Sequence, residues 1–67
     1  MRLIKLKEVT NCTGLARSTI YKYISEEAFP KPVHLGERAV AWVEDEIHDW
    51  ILERIAQRDG NATVKPT

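Results

Sequence analysis

The chain has 67 residues, of which 43% are hydrophobic, and its ten basic and ten acidic side chains give a formal net charge of zero. This length accommodates one small domain that buries about 60% of the surface its unfolded form exposes, which leaves no room for an enzyme cleft between two lobes. A single cysteine excludes an intramolecular disulfide, and His34 and His48 lack the paired spacing of a zinc site, so we expect no metal and no cofactor.

The N-terminal segment bears on where the protein works. MRLIKLKEV is interrupted by charge every second or third residue. It therefore lacks the uninterrupted apolar segment of about 7 to 15 residues that a signal peptide needs. We expect neither export nor membrane insertion, and a reducing cytoplasm fits the cysteine content.

The charges are distributed unevenly along the chain. Residues 1–42 carry seven basic and four acidic side chains, a net charge of +3, whereas residues 43–58 carry two basic and five acidic side chains, a net charge of −3. A fold that places these segments on opposite sides would attract a polyanion to one face and repel it from the other. The alternative is an ordinary mixed surface.

The segment Leu6–Thr13 predicts a short helix, because Leu6, Val9 and Cys12 recur at spacings of three. Gly14 follows directly and can adopt the positive φ of a helix C-cap at little cost. On this spacing Cys12 faces the core as a small hydrophobic residue, with a redox switch as the alternative.

The segment Ala16–Ser25 predicts a second short helix, in which Ile20, Tyr23 and Ile24 face inward beneath Leu15. Two short helices joined through a glycine-containing turn form a helix-turn-helix unit, whose second helix enters the major groove of DNA. We therefore expect a recognition helix at about residues 16–25.

The outward side of this second helix is polar and basic. Residues near the N-terminus of a recognition helix reach base edges, where Arg bonds guanine with two hydrogen bonds and Ser or Thr serves a base or a phosphate. An ordinary solvated helix face is the alternative. The candidate residues are Arg17 at the N-terminal end, Ser18, Thr19 and Lys22 on the outward side, and Tyr21 at its flank.

In the stretch FPKPVHLGERAVAWV the spacing of apolar residues changes from that of a helix to the alternation of a strand. Pro30 and Pro32 exclude a helix interior, and the residues that follow alternate until Gly36. The segment Ala39–Val43 alternates again, so the pair predicts a β-hairpin with Glu37 and Arg38 at its tip. A hairpin beside a helix-turn-helix is a wing, here residues 31–42.

A third helix is predicted from Glu44 onward by an apolar stripe and by three acidic residues in its first turn, where carboxylates complement the helix dipole. Trp42 and Trp50 are expected to close the small core. The stripe comprises Val43, Ile47, Trp50, Ile51 and Ile55.

Periodicity is lost after Arg58, so residues 1–58 are expected to form the domain and residues 59–67 a flexible tail. No segment offers heptads or a spare apolar helix once the stripe is used in the core. We therefore expect a monomer in free solution, with several copies meeting only on DNA. His48 is expected on the surface, without a role.

The sequence resembles the AlpA family of prophage regulatory proteins, small winged-helix relatives of phage excisionases and of the MerR DNA-binding domain. The resemblance covers Arg2 to about Arg58 and is carried by RLIKLKEV, TGLARSTIYKYI, FPKPVHLGERAVAWVEDEI and the DW that ends at Trp50. It implies an α+β fold, a small winged helix-turn-helix with three helices and a two-stranded β-hairpin wing between the second and third.

The resemblance also implies a bacterial or prophage protein that binds double-stranded DNA and regulates transcription. Two departures from the family pattern stand out. Ala16 replaces a common Ser and cannot cap the second helix, a loss of roughly 1 kcal/mol unless Ser18 or a phosphate substitutes. His34 stands where Lys or Arg is expected. The implied DNA-binding residues are Arg17, Ser18, Thr19, Tyr21 and Lys22 in the helix and Lys31, His34 and Arg38 in the wing.

Catalysis is not expected, because no nucleophile, base and orienting group can be assembled from the remaining residues. One alternative is a recombination directionality factor, an excisionase, which would bend DNA. Another is an interaction module, in which the acidic last helix or an apolar strip contacts a partner such as an integrase. RNA polymerase is a further possible partner of a regulator.

Overall fold

Three helices and a small antiparallel sheet build the fold in the computed structural model, which describes residues 1–64 and the side chains of residues 1–60. This α+β architecture, with a hairpin between the second and third helices, confirms the predicted small winged-helix class. Residues 65–67 of the predicted tail lie outside the described residues. The elements are β1 (Leu3–Ile4), α1 (Leu6–Thr13), α2 (Arg17–Ser25), β2 (Val33–His34), β3 (Val40–Val43) and α3 (Glu44–Val64).

The sheet has three strands in the order β1, β3, β2, so the central strand is the second strand of the hairpin. Val33 pairs with Ala41 and His34 with Val40, which confirms the hairpin. Strand β1 was not predicted, because two residues between charges give no alternation to detect. It pairs on the far side of β3, Ile4 opposite Trp42.

Arg2 fixes β1 to two other elements. Its carbonyl accepts a hydrogen bond of 2.7 Å from the N–H of Glu44, the first residue of α3. Its guanidinium lies 3.1 Å from carboxylate oxygens of both Glu8 on α1 and Glu44. One basic residue of the N-terminal segment is therefore neutralised locally.

The core takes one residue from each helix, two from the sheet and one from the loop that follows α2. Trp42 is completely buried, and its indole N–H donates to the Pro30 carbonyl at 3.1 Å. The indole of Trp50 donates to the Ala28 carbonyl at 2.8 Å. Both tryptophans therefore hold the loop between α2 and β2 against α3 and the sheet, as their predicted structural role requires. The buried cluster is Ile4, Val9, Ile20, Phe29, Trp42 and Ile47.

Helix α1 has the predicted bounds, and Gly14 closes it with φ +73° and an N–H donated to the Thr10 carbonyl at 2.7 Å. The prediction that Cys12 is buried is wrong, since this thiol is exposed. The next residue after Val9 on the inward side of α1 is Thr13, four positions later, rather than Cys12, three positions later. Both spacings are compatible with a helix. Thr13 then donates its hydroxyl to the Val9 carbonyl at 2.8 Å.

Helix α3 begins at Glu44 as predicted and continues to Val64, six residues past the loss of periodicity at Arg58. Its apolar stripe is also only partly used. Ile47 is fully buried, whereas Ile55 is 40% exposed and Leu52 is 60% exposed. The premise that Ile55 is consumed in the core therefore fails, and the monomeric state and the flexible tail stay predictions.

Candidate nucleic-acid interface

The outward side of α2 presents a continuous polar surface. Arg17, Ser18, Tyr21 and Lys22 are exposed, at spacings that place them on one side of a helix. Ile20, between them in sequence, is fully buried in the core cluster and fixes the rotation of the helix. We call these four exposed residues the α2 face.

Thr19 lies apart from the α2 face, because its side chain is half-buried. Of the five recognition-helix residues proposed from the sequence, the structure thus brings four onto one open surface and turns the fifth partly inward. A half-buried hydroxyl can still contact a phosphate at the edge of the surface.

The N-terminus of α2 is not capped by a side chain. Ala16 is the N-cap residue, with extended backbone angles of φ −71° and ψ 155°, and no side chain accepts a hydrogen bond there. Ser18 does not substitute. The positive end of the helix dipole and the N–H groups of the first turn therefore point to the same end of the helix as Arg17, which is the arrangement that favours an anionic oxygen.

Tyr21 links the α2 face to the sheet. Its ring meets that of Trp42 edge to face, with centroids 6.5 Å apart and planes at 64°. The guanidinium carbon of Arg17 lies 5.9 Å from the centroid of the Tyr21 ring. Since Trp42 sits on the central strand β3, this chain of contacts sets the position of Arg17 relative to the hairpin.

The hairpin loop connects the end of β2 at His34 to the start of β3 at Val40. The Ala39 carbonyl accepts hydrogen bonds from the N–H groups of Leu35, at 2.7 Å, and Gly36, at 3.3 Å, and thereby closes the turn. His34 and Arg38 are both exposed, and neither forms an ion pair with another described residue. Both are free to contact a ligand of negative charge.

Lys31 occupies a different environment from the other wing residues. It lines a groove together with Glu46, Asp49 and Glu53 of α3. No residue of the α2 face lines this groove. The structure therefore groups Lys31 with the acidic side chains rather than with Arg17 and Lys22.

A turn that the sequence did not reveal sets the direction from α2 to the wing. Glu27 adopts a left-handed conformation with φ +57°. The N–H of Ala28 donates to the Tyr23 carbonyl at 2.8 Å and that of Glu27 to the Ile24 carbonyl at 3.0 Å, which is the Schellman pattern. A glycine normally marks this position, and its replacement by Glu removed the signal.

The described residues also bear on two other kinds of site. They contain no group of three or more His, Cys, Asp or Glu side chains that could hold a metal ion. No helix among them is both long and apolar enough to cross a membrane.

Comparison with known proteins finds a match to one family and to two relatives. The family model of the prophage CP4-57 regulatory protein (AlpA) matches residues 2–55. The uncharacterized protein ORF88 of Enterobacteria phage P4 is 44% identical over 57 residues, which cover 85% of this chain and 65% of that protein. The DNA-binding transcriptional activator AlpA of Escherichia coli K12 is 37% identical over 60 residues, covering 81% of this chain and 86% of that protein.

Proposed function

We propose a function from the premise that this chain belongs to the AlpA family of prophage regulatory proteins: it binds specific sites on double-stranded DNA and regulates transcription. The observation that carries the proposal is the α2 face, an exposed polar and basic surface on the second helix of a helix-turn-helix. The Escherichia coli relative, which has the name of a DNA-binding transcriptional activator, supports it.

In this proposal α2 enters the major groove and reads bases. Arg17 and Lys22 donate hydrogen bonds to base edges, above all to guanine, and Ser18 contacts a base or a phosphate. Tyr21 holds the Arg17 guanidinium, since a charge above an aromatic ring is attracted to it. Thr19, half-buried, contacts the backbone.

The wing neutralises phosphates along the backbone or the minor groove. Arg38 supplies a permanent positive charge on an exposed loop, and His34 an exposed imidazole that can hydrogen-bond a phosphate. Lys31 contributes less, because neighbouring carboxylates of α3 offset its charge for an approaching polyanion. Phosphate contacts of this kind supply affinity without discrimination between sequences.

The proposed protein is a binding protein rather than an enzyme, acts in the cytoplasm, and is monomeric until several copies meet on DNA. RNA polymerase is the expected partner of its regulatory step. Excision of an integrated element, or contact with an integrase, is the alternative output. Excision rests on the family resemblance, and contact with an integrase draws on the acidic side chains of α3.

Titration of the protein against a library of genomic fragments tests the proposal. Non-specific binding should lie at about 10⁻⁴ to 10⁻⁶ M, and at least one fragment should bind about 10³-fold more tightly at the same salt concentration. The position of that fragment relative to promoters or attachment ends distinguishes transcription from recombination. Uniform weak binding across all fragments would overturn the proposal.

A further inference from the structure

A groove lined by no residue of the α2 face lies on another part of the described structure. It has a volume of about 820 Å³ and runs between the loop that follows α2 and the first half of α3. Apolar side chains line its floor, among them Phe29, Val43 and Trp50. The Phe29 and Trp50 rings meet edge to face with centroids 4.8 Å apart, so this floor is fixed by packing.

Carboxylates line the same groove. Glu27 stands on the loop, and Glu46, Asp49 and Glu53 follow one side of α3 at spacings of three and four. Against these four acids stand two cations, Lys31 and Arg54. We call this feature the acidic groove.

None of these four carboxylates is used inside the described structure, where none forms an ion pair or a hydrogen bond through its side chain. The helix dipole accounts for Glu46, which lies in the first turn of α3. It does not account for Asp49 and Glu53, because the stabilising effect of a carboxylate fades beyond that turn. Asp49 and Glu53 therefore place two negative charges beside an apolar surface without stabilising another described residue.

The structure also contains a cation on this floor. The guanidinium carbon of Arg54 lies 4.9 Å from the centroid of the Trp50 ring. An indole ring is the best aromatic partner for a cation, and a cation from another molecule would have to displace Arg54 to use the same face of the ring.

We propose that the acidic groove binds a basic segment of another protein, one that combines Lys or Arg with a large apolar side chain. The apolar side chain packs against the half-buried Val43 and Trp50, and the cations face Asp49 and Glu53. No residue of the α2 face lines the groove, so such a partner does not compete with a ligand on α2. This inference is independent of the proposed function.

A fluorescein-labelled peptide of repeated Arg, Leu and Lys residues is the probe, measured by anisotropy against the full chain at low and moderate salt. Saturable binding that weakens with salt is expected, whereas a peptide with Glu in place of every cation should not bind. Loss of saturation, or equal binding of the Glu peptide, would overturn the proposal.

Two double variants locate the site. Asp49→Asn with Glu53→Gln should weaken peptide binding roughly threefold to tenfold, since partly exposed ion pairs contribute modestly. Glu26→Gln with Asp45→Asn is the matched control, because both residues are exposed, neither lines the groove, and the net charge changes equally. The control should change binding less than about twofold. An equal loss in both variants would mean that overall charge, not the groove, attracts the peptide.

DNA titrations on the same proteins separate this inference from the proposed function. Specific DNA binding by the wild type without any peptide binding refutes the acidic groove alone. Peptide binding that responds to Asp49 and Glu53 without specific DNA binding refutes the DNA proposal and leaves the groove intact. Circular dichroism melts of all variants confirm that each remains folded.

Discussion

The α2 face and the hairpin loop both expose cations, yet their supports differ. The α2 face is supported by two fully buried residues: Ile20 lies on the same helix, and Trp42 contacts the Tyr21 ring. The loop from Leu35 to Ala39 is held by backbone hydrogen bonds to a single carbonyl, and Leu35 is 53% exposed. A surface that discriminates between bases needs fixed geometry, whereas phosphate neutralisation tolerates movement. This difference in support agrees with the proposal that α2 contacts bases and the wing contacts phosphates.

The largest expected effect comes from truncating Trp42, which contacts the Tyr21 ring of the α2 face. Trp42→Ala should lower the free energy of unfolding by about 3 to 5 kcal/mol, because it empties a fully buried site and leaves the Pro30 carbonyl without its donor. A domain of this size has a total stability of roughly 3 to 10 kcal/mol, so this loss is a large fraction of the total. Urea denaturation followed by circular dichroism measures it.

Leu35→Ala is the matched control on the loop side of the comparison. Its side chain is mostly exposed, so the free energy of unfolding should change by less than about 0.5 kcal/mol. Comparable losses in the two variants would mean that the loop is as much a part of the packed structure as α2, and the proposed division of roles would lose its physical basis.

The second effect concerns DNA and follows from the proposed function. Arg17→Ala or Lys22→Ala should cost about 1 to 3 kcal/mol on the preferred site and much less on scrambled DNA, because base contacts discriminate. Arg38→Ala should weaken binding to both sequences evenly and reduce the salt slope by about one phosphate's worth. Fluorescence titrations on both duplexes across a salt series measure these effects.

The reverse pattern would exchange the two roles. If Arg38→Ala abolished the preference while Arg17→Ala and Lys22→Ala left it intact, the wing would be the reader. A melting curve of Arg17→Ala is needed beside the titration. The variant also loses the contact with the Tyr21 ring, which at an exposed site contributes about 0.5 to 1 kcal/mol.

A third test concerns the turn that orients the wing relative to α2. Glu27 has φ +57°, a conformation that costs an ordinary residue roughly 1 to 2 kcal/mol and glycine almost nothing. Glycine in turn costs about 0.5 to 1 kcal/mol in chain entropy. Glu27→Gly should therefore raise the free energy of unfolding by about 0.5 to 1 kcal/mol in urea titrations.

Glu26→Gly is the natural comparison, because the neighbouring residue has an ordinary φ of −90°. There the entropic cost stands alone, and the variant should be less stable by about 0.5 to 1 kcal/mol. Equal destabilisation by both substitutions would show that the left-handed conformation of Glu27 carries no strain that glycine relieves.

The sequence predicted those parts of the molecule where a local pattern and the packing agree. Helix α1 ends at Gly14 because only one residue type adopts its backbone cheaply, and the hairpin follows from prolines and alternation. Strand β1 and the Glu27 turn were missed. The first exists only through pairing with β3, and the second lacks its usual glycine.

Side-chain direction was the harder part of the candidate site. Spacings of three and of four residues both suit a helix, so the sequence alone does not decide between Cys12 and Thr13 for the inward side of α1. The pattern predicts Cys12, whereas the structure has Thr13 there. Lys31 follows the recognition helix closely in sequence, yet the chain turns at Glu27 and delivers it to the acidic groove. The direction of Cys12 and the acidic neighbours of Lys31 both depend on geometry that only the tertiary structure determines.

The smallest expected effect lies at the end of α3. Deletion of residues 59–67 should lower the melting temperature by less than about 2 °C and DNA affinity by less than about threefold, because the sequence after Arg58 has no periodic apolar residues that could anchor it to the core. Residues 56–60 are exposed, and the ion pair between Arg58 and Asp59, 2.8 Å long, is largely solvated. A deletion that starts at Leu52 is the contrasting variant. It also removes Ile55, which lines a smaller groove with Leu15, and should melt several degrees lower. If the shorter deletion destabilised the protein as much, the end of α3 would be part of the domain, and the boundary at Arg58 would be wrong.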